Sequence, residues 1–175
     1  MACNTITEIL KSCDSNLGGI VKMWINNGDQ IDETSIDTTA GIITAADLAS
    51  GADTFVEFEF NPNTSNYVET STISLENSST FYSQVITIQL SRREAAKRQS
   101  LLLIALGQPG LTIFVKDSNG LFWAFGTGDD KAYLTGNDGG SGTAKADLNG
   151  YTLTFTCEDV SPALEINETV INGLV

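Results

Sequence analysis

The sequence predicts a mainly β fold in one domain, with one flanking helix and a short helix at the N-terminus. Most of the chain consists of short runs of β-branched and aromatic residues bounded by turn residues. Apolar residues make up 41% of the 175 positions and charged residues only 18%, the balance of a β-rich globular domain rather than a disordered or coiled-coil one. Helix start and stop signals bracket one long segment only. A chain of this length is expected to build one core, so residues 1–175 are read as a single domain.

In chain order, the N-terminal arm (residues 1–18) carries a capping box, Thr5 to Glu8. It opens a helix with Ile6, Ile9, Leu10 and Cys13 on one stripe. Two or three turns are marginal alone, so the stripe is expected to dock on the domain or on a neighbouring subunit. Strands are expected over Gly19–Ile25, Gly41–Thr44, Thr54–Phe60, Tyr67–Leu75, Thr80–Leu90, Leu111–Lys116 and Leu121–Phe125. Residues 54–90 read as one long hairpin, whose middle, Asn61 to Gln84, is rich in Ser, Thr and Asn. Such an arm either lies on its own sheet or joins other copies edge to edge into a closed barrel, and the second is favoured because closure removes exposed edges.

Ser91 and Glu94 form a second capping box, with Gly107 and Pro109 as stop signals, which together predict a helix over 91–106. Its second half, Leu101 to Leu106, is expected to be buried and its basic first half exposed. Asn119-Gly120 is expected to close a hairpin between Leu111–Lys116 and Leu121–Phe125, and Asn149-Gly150 a second one within 143–159. In the last strand Tyr151, Leu153, Phe155 and Cys157 alternate with Thr152, Thr154, Thr156 and Glu158, which places Cys157 in an apolar row.

Composition narrows the chemistry. With no histidine there is no Ser-His-Asp or Cys-His nucleophile pair and no imidazole ligand or base. Cys3, Cys13 and Cys157 are odd in number and lack a C-x-x-C spacing, so all three are expected to be buried apolar residues rather than disulfide or zinc partners. The N-terminus lacks a basic region followed by an apolar block, so no secretory signal is expected and the chain is placed in a cytoplasm. No run approaches the ~20 apolar residues that span a bilayer.

The glycine-rich segments Gly126–Asp130 and Gly136–Gly142 lack the endings of a phosphate loop or a calcium loop and read as flexible turns. Glu57 and Glu59, ~7 Å apart along a strand, have a spacing compatible with an inverting glycosidase, but exposed acids on a solvated face are the simpler reading. The Asn-x-Ser/Thr sequences at 63–65, 77–79 and 167–169 carry no meaning without secretion. No enzyme activity, cofactor or metal is expected.

Net charge is −13, unevenly spread. Residues 92–98 hold four bases and one acid, net +3; the rest holds five bases against 21 acids, net −16. An acidic body repels phosphate and is not expected to bind nucleic acid tightly. Arg92 and Arg93 would stand where a helix dipole disfavours positive charge. Two readings remain for Arg92, Arg93, Lys97 and Arg98: an intersubunit contact with a neighbour's acidic surface, or a solvated helix end lying over the core.

The segments SCDSNLGGIVKMWI, SRREAAKRQSLLLIALGQPG and DLNGYTLTFTCEDVSPALEI, in that order around a long polar hairpin, give the chain its wider likeness. With Cys13, Asn16, Gly18 and Gly19 at the opening and Asn149-Gly150-Tyr151 with Pro162-Ala163 at the close, it resembles tail-tube-type proteins of tailed bacteriophages. It is similar in particular to neck and tail ring proteins of crAss-like phages of Bacteroides-type hosts. The resemblance implies a β-sandwich or half-barrel with a flanking helix and a long hairpin. It implies a homo-oligomeric ring, hexamer or dodecamer, whose hairpins form a barrel around a DNA-conducting lumen.

By the same likeness Glu57, Glu59, Glu69 and Glu76 are lumen candidates, and Arg92, Arg93, Lys97 and Arg98 interface candidates. The implied partners are further copies, other neck, tail or portal-associated proteins, and DNA as transient, non-sequence-specific cargo, with no membrane. The implied location is the virion, assembled in the host cytoplasm. The alternative is a β-sandwich adhesin or glycan-binding module, which would need an exposed aromatic platform; Trp24 and Trp123 lie within apolar strands.

Overall fold

The computed structural model describes residues 9, 11, 13–61, 63–107 and 110–175. The expected N-terminal helix falls outside the described residues. Among them the chain is mainly β: strands β1 (Ile20–Asn27), β2 (Ile31–Thr39), β3 (Ile42–Leu48), β4 (Val56–Phe58), β5 (Asn66–Ser74) and β6 (Ser79–Ser91) precede helix α1 (Ala95–Gly107). Strands β7 (Leu111–Asp117), β8 (Phe122–Phe125), β9 (Tyr133–Gly140), β10 (Gly150–Asp159) and β11 (Leu164–Ile166) lead to helix α2 (Glu168–Leu174). No helix among the described residues is long and apolar enough to cross a membrane.

The strands form a sandwich. A seven-stranded sheet has the order β2-β3-β11-β8-β7-β1-β4, and a four-stranded sheet the order β5-β6-β10-β9. The core between them takes Met23, Ile113, Val115 and Phe125 from the larger sheet and Ile86, Ile88, Leu153 and Phe155 from the smaller. The larger sheet is covered on its second face too, where Trp24, Phe114 and Phe122 meet Val170, Ile171 and Leu174 of α2. Burial on both faces is why Leu111 to Val115 is an unbroken apolar run save Thr112, whose hydroxyl donates to Gly126 O at 2.8 Å. The expected hairpin at Asn119-Gly120 joins β7 to β8, with the Asp117 carboxylate accepting from the Asn119 and Leu121 amides at 2.8 and 2.9 Å.

Several expectations are corrected. The helix starts at Ala95, not Ser91. Ser91 ends β6 and pairs with Gly150, so its backbone is spent in the sheet rather than on a cap. Arg92 turns the chain at φ 63° and donates its amide to Asn149 O at 2.6 Å, while the Glu94 carbonyl accepts the first helical bond from the Arg98 amide at 3.0 Å. The second half of α1 is not buried as a whole. Leu101 is 2% exposed and Ile104 packs on the core, but Leu102, Leu103 and Leu106 are 44, 62 and 74% exposed, because only one side of the helix meets the sandwich.

The hairpin over 54–90 divides. Glu57 lies on β4 of the larger sheet, and only β5 and β6 form a hairpin, turning at 75–78. From Tyr82 to Ser91, β6 is paired with β10, so the arm lies in its own sheet along most of its length, and only its tip has no third strand. The partner of β10 within 133–159 is β9 rather than 143–147, which lies in a loop; there the Asp147 carboxylate accepts from the Thr143 and Ala144 amides at 2.8 and 2.7 Å. Gly136 to Gly140, expected as a flexible turn, is therefore strand. Gly150 is not a hairpin turn: a Cβ there would strike the Leu90 carbonyl oxygen of β6. Cys157 is buried as expected, Cys13 is exposed, and Cys3 lies outside the described residues.

Candidate assembly surface

The four-stranded sheet has a body side and an outward side, and register assigns each residue. Cross-strand partners share a face, so Leu153, Phe155 and Cys157 place their partners Ile88, Ile86 and Gln84 toward the core. The outward face is then Thr152, Thr154, Thr156 and Glu158 of β10, with Gln89, Thr87, Val85 and Ser83 opposite them on β6. It continues to Asn66, Val68 and Thr70 on β5 and to Asp138 and Gly136 on β9. Hydroxyl groups dominate it. Thr135, at a bulge in β9, holds its hydroxyl 2.9 Å from that of Thr156. None of these four strands contains a lysine or arginine, whereas Glu69, Asp138, Glu158 and Asp159 lie within them.

Among the described residues both margins of this sheet are open: β5 pairs only with β6, and β9 only with β10. The two edges are matched in length, nine and eight residues. The strands alternate in direction across the sheet, so a β5 laid beside the β9 of another copy would be antiparallel and continue the same ladder.

The four acidic lumen candidates are not brought together. Glu57 pairs with Lys22 at 2.9 Å on the larger sheet, and Glu59 follows that strand. Glu69 shares the body-side face of Gln84, and its carboxylate accepts from the Ala163 amide at 2.7 Å and from Gln84 Nε2 at 3.2 Å. Glu76 lies in the turn at the hairpin tip. The outward acids are instead Asp138 and Glu158, which sequence reasoning misses, although the alternation Thr152, Thr154, Thr156, Glu158 already puts the second of them on the polar face.

The basic candidates are gathered near the start of α1. Arg92 and Lys97 both meet Glu94, at 3.2 and 3.7 Å, and the Lys97 ammonium donates to the Ser91 carbonyl at 2.7 Å. Arg93 lies over the Tyr151 ring, 5.6 Å from its centroid, and lines a cleft of about 440 Å³ with Glu94, Arg98, Ser141 and Asn149, the Glu94 carboxylate there being held by Arg92 and Lys97. Neither Arg93 nor Arg98 has a carboxylate partner among the described residues.

Burial first, then the Asp159 charge, push the Cys157 thiol from its ordinary 9.0 to about 11, so it is a protonated thiol at neutral pH. Among the described residues no cluster of Cys, Asp and Glu could hold a metal ion. Trp24 is buried, and Trp123 is half-buried beneath Tyr67, with its indole donating to Asp117 Oδ2 at 3.3 Å. Neither forms an exposed platform. No protein-family model, curated protein or solved structure matches this chain.

Proposed function

We propose that this chain is a structural virion protein, a ring or tube subunit in the neck or tail of a tailed phage. In this reading the four-stranded sheets of neighbouring copies join β5 to β9 and close around a channel that conducts DNA. The observation that carries it is the pair of open, length-matched, antiparallel-compatible margins on a sheet without a single basic residue. Joining β5 to β9 is a heterologous contact, which closes into a ring when its rotation divides the circle. Exposed edges of this kind otherwise invite uncontrolled pairing.

The outward face would then line the lumen. Threonine and serine hydroxyls with Glu158 and Asp138 offer phosphate no cation to adhere to, which suits a passage for a polyanion. The copy number, a hexamer or dodecamer, is set by the rotation per contact. The chain acts without catalysis in this reading, which the protonated, buried Cys157 and the absence of histidine support.

Solution mass and negative-stain imaging of the full chain test the proposal. Rings with a central opening are expected. A stable monomer that retains immobilised glycans would instead favour the adhesin reading.

A further inference from the structure

β10 runs between two ends of opposite charge, ~30 Å apart at a strand's rise per residue. At its start Tyr151 underlies Arg93, and Arg93 and Arg98 face the open cleft without a carboxylate partner among the described residues. Lys145, in the adjoining loop, has none either. At the other end Asp159 lines a cleft of about 580 Å³ with Asp129, Asp130 and Glu33. Lys131 there is committed to Glu33, and the Asp129 and Asp130 carboxylates have no hydrogen-bond or cationic partner among the described residues.

Both ends also expose apolar surface. Leu102 lines a second cleft that shares Arg93, Arg98 and Tyr151 with the first, Leu103 and Leu106 on the same helix are exposed too, and Val160 at the acidic end is 77% exposed.

We infer that a second copy of this chain docks end to end, its Asp129, Asp130 and Asp159 end seated on the Arg93 and Arg98 cleft and on the leucines of α1. Charge decides the occupant. Two arginines that share a cleft and have no carboxylate partner among the described residues repel each other, in a chain that holds 22 acids and could have supplied partners internally. A nucleic acid is disfavoured by the net −16 of the remaining chain, whereas the acidic end of another copy offers carboxylates set beside an apolar contact. The contact joins unlike surfaces at opposite ends of β10, about perpendicular to the β5-to-β9 contact, and where its rotation does not close on itself it repeats and stacks copies axially. It rests on the reading of the chain as an assembly subunit and adds the polar, axial interface to the lateral one.

The test uses the full chain in sedimentation velocity and negative stain at low and high salt. It compares the wild type with Arg93→Glu/Arg98→Glu, with Asp129→Lys/Asp130→Lys, and with their equimolar mixture. Wild-type stacks are expected to weaken at least ~tenfold in affinity on raising salt, as for charge-steered contacts. Each variant alone should lose stacking, since like charges then face each other, and the mixture should regain it as alternating copies.

Single open-centred rings from either variant, with stacks from the wild type, uphold both readings. Wild-type stacks or filaments without a central opening, sensitive to these charges, uphold the axial contact and sink the ring. A wild type that does not associate end to end at low salt, variants that stack as well as it does, or a mixture that fails to recover would each overturn the inference. All four substituted side chains are at the surface, and circular dichroism verifies that the variants fold.

Discussion

Replacing Gly126 by alanine separates two costs that a glycine in a folded chain can hide. Gly126 follows β8 at φ +67°, and a Cβ built there would lie 2.8 Å from the Ala132 nitrogen and closer still to the Leu111 carbonyl oxygen. Those two atoms are joined by a 2.9 Å hydrogen bond that ties the segment before β9 to the start of β7. The left-handed backbone costs an alanine ~1–2 kcal/mol. Forcing the buried pair apart adds the cost of overpacking, ~1–3 kcal/mol. Gly120 is the internal control, because its φ is +88° and nothing lies within 4 Å of its Cβ position, so only the backbone cost applies.

Gly126→Ala should therefore be less stable than Gly120→Ala by ~1–3 kcal/mol, read as a lower urea midpoint at unchanged slope. Equal losses, or a larger loss at Gly120, would refute the claim that the Leu111–Ala132 pair is clamped by the missing side chain. Because Gly126 opens the loop that carries Asp129 and Asp130, its alanine variant should also weaken salt-sensitive association, and Gly120→Ala should not.

Asp117→Ala removes the acceptor for two amides and an indole at the β7–β8 turn and is expected to cost ~2–3 kcal/mol by chemical denaturation. The Cys157 thiol is raised in the folded state. Its contribution to stability is whole below the unfolded value near 9.0 and is lost as pH climbs toward about 11, so wild type should lose stability over that interval more steeply than Cys157→Ala. Val68→Glu/Thr70→Glu sets like charge on the exposed β5 edge strand beside the acidic β9 of the next copy, and open-centred rings should disappear while the circular dichroism spectrum and monomer stability stay unchanged.

Much of the sandwich is legible in the sequence where side-chain alternation is strict. In β10 the apolar row from Tyr151 to Cys157 and the threonine row between them define both faces without any structure. Legibility fails where a residue's partner lies far along the chain. β2 escapes the pattern because Ile31–Thr39 is rich in acids and sits at a sheet margin, where little burial marks it, and β9 because Tyr133–Gly140 holds three glycines. Ser91 has the right neighbours for a helix cap but is held by Gly150, some sixty residues on, in a ladder that local pattern does not reveal. The run Leu101–Leu106 reads as buried throughout because an apolar stretch records affinity for cover, not whether cover is present in the same chain. The acidic candidates scatter for want of register: Glu69 is placed by its pairing with Gln84, which puts it on the body side, and β4 serves the other sheet.

The two proposed contacts differ in the force that makes them, and ionic strength separates them. Joining β5 to β9 exchanges backbone hydrogen bonds with water for bonds between copies, a term that salt scarcely touches, but it also draws the Glu158 and Asp138 of every copy around one opening. That crowding of like charge opposes closure and is relieved by screening. End-to-end docking gains from the attraction between Asp129, Asp130 and the two cleft arginines, and screening weakens it. Raising salt should therefore convert stacks into separate rings rather than into monomers. Within the lateral term, Glu158→Gln/Asp138→Asn should keep rings closed at lower protein concentration than the wild type does, by a margin that shrinks as salt rises. Rings that fall apart as salt rises, or whose closure is indifferent to that pair of substitutions, would mean that the outward face of the four-stranded sheet does not look into the opening.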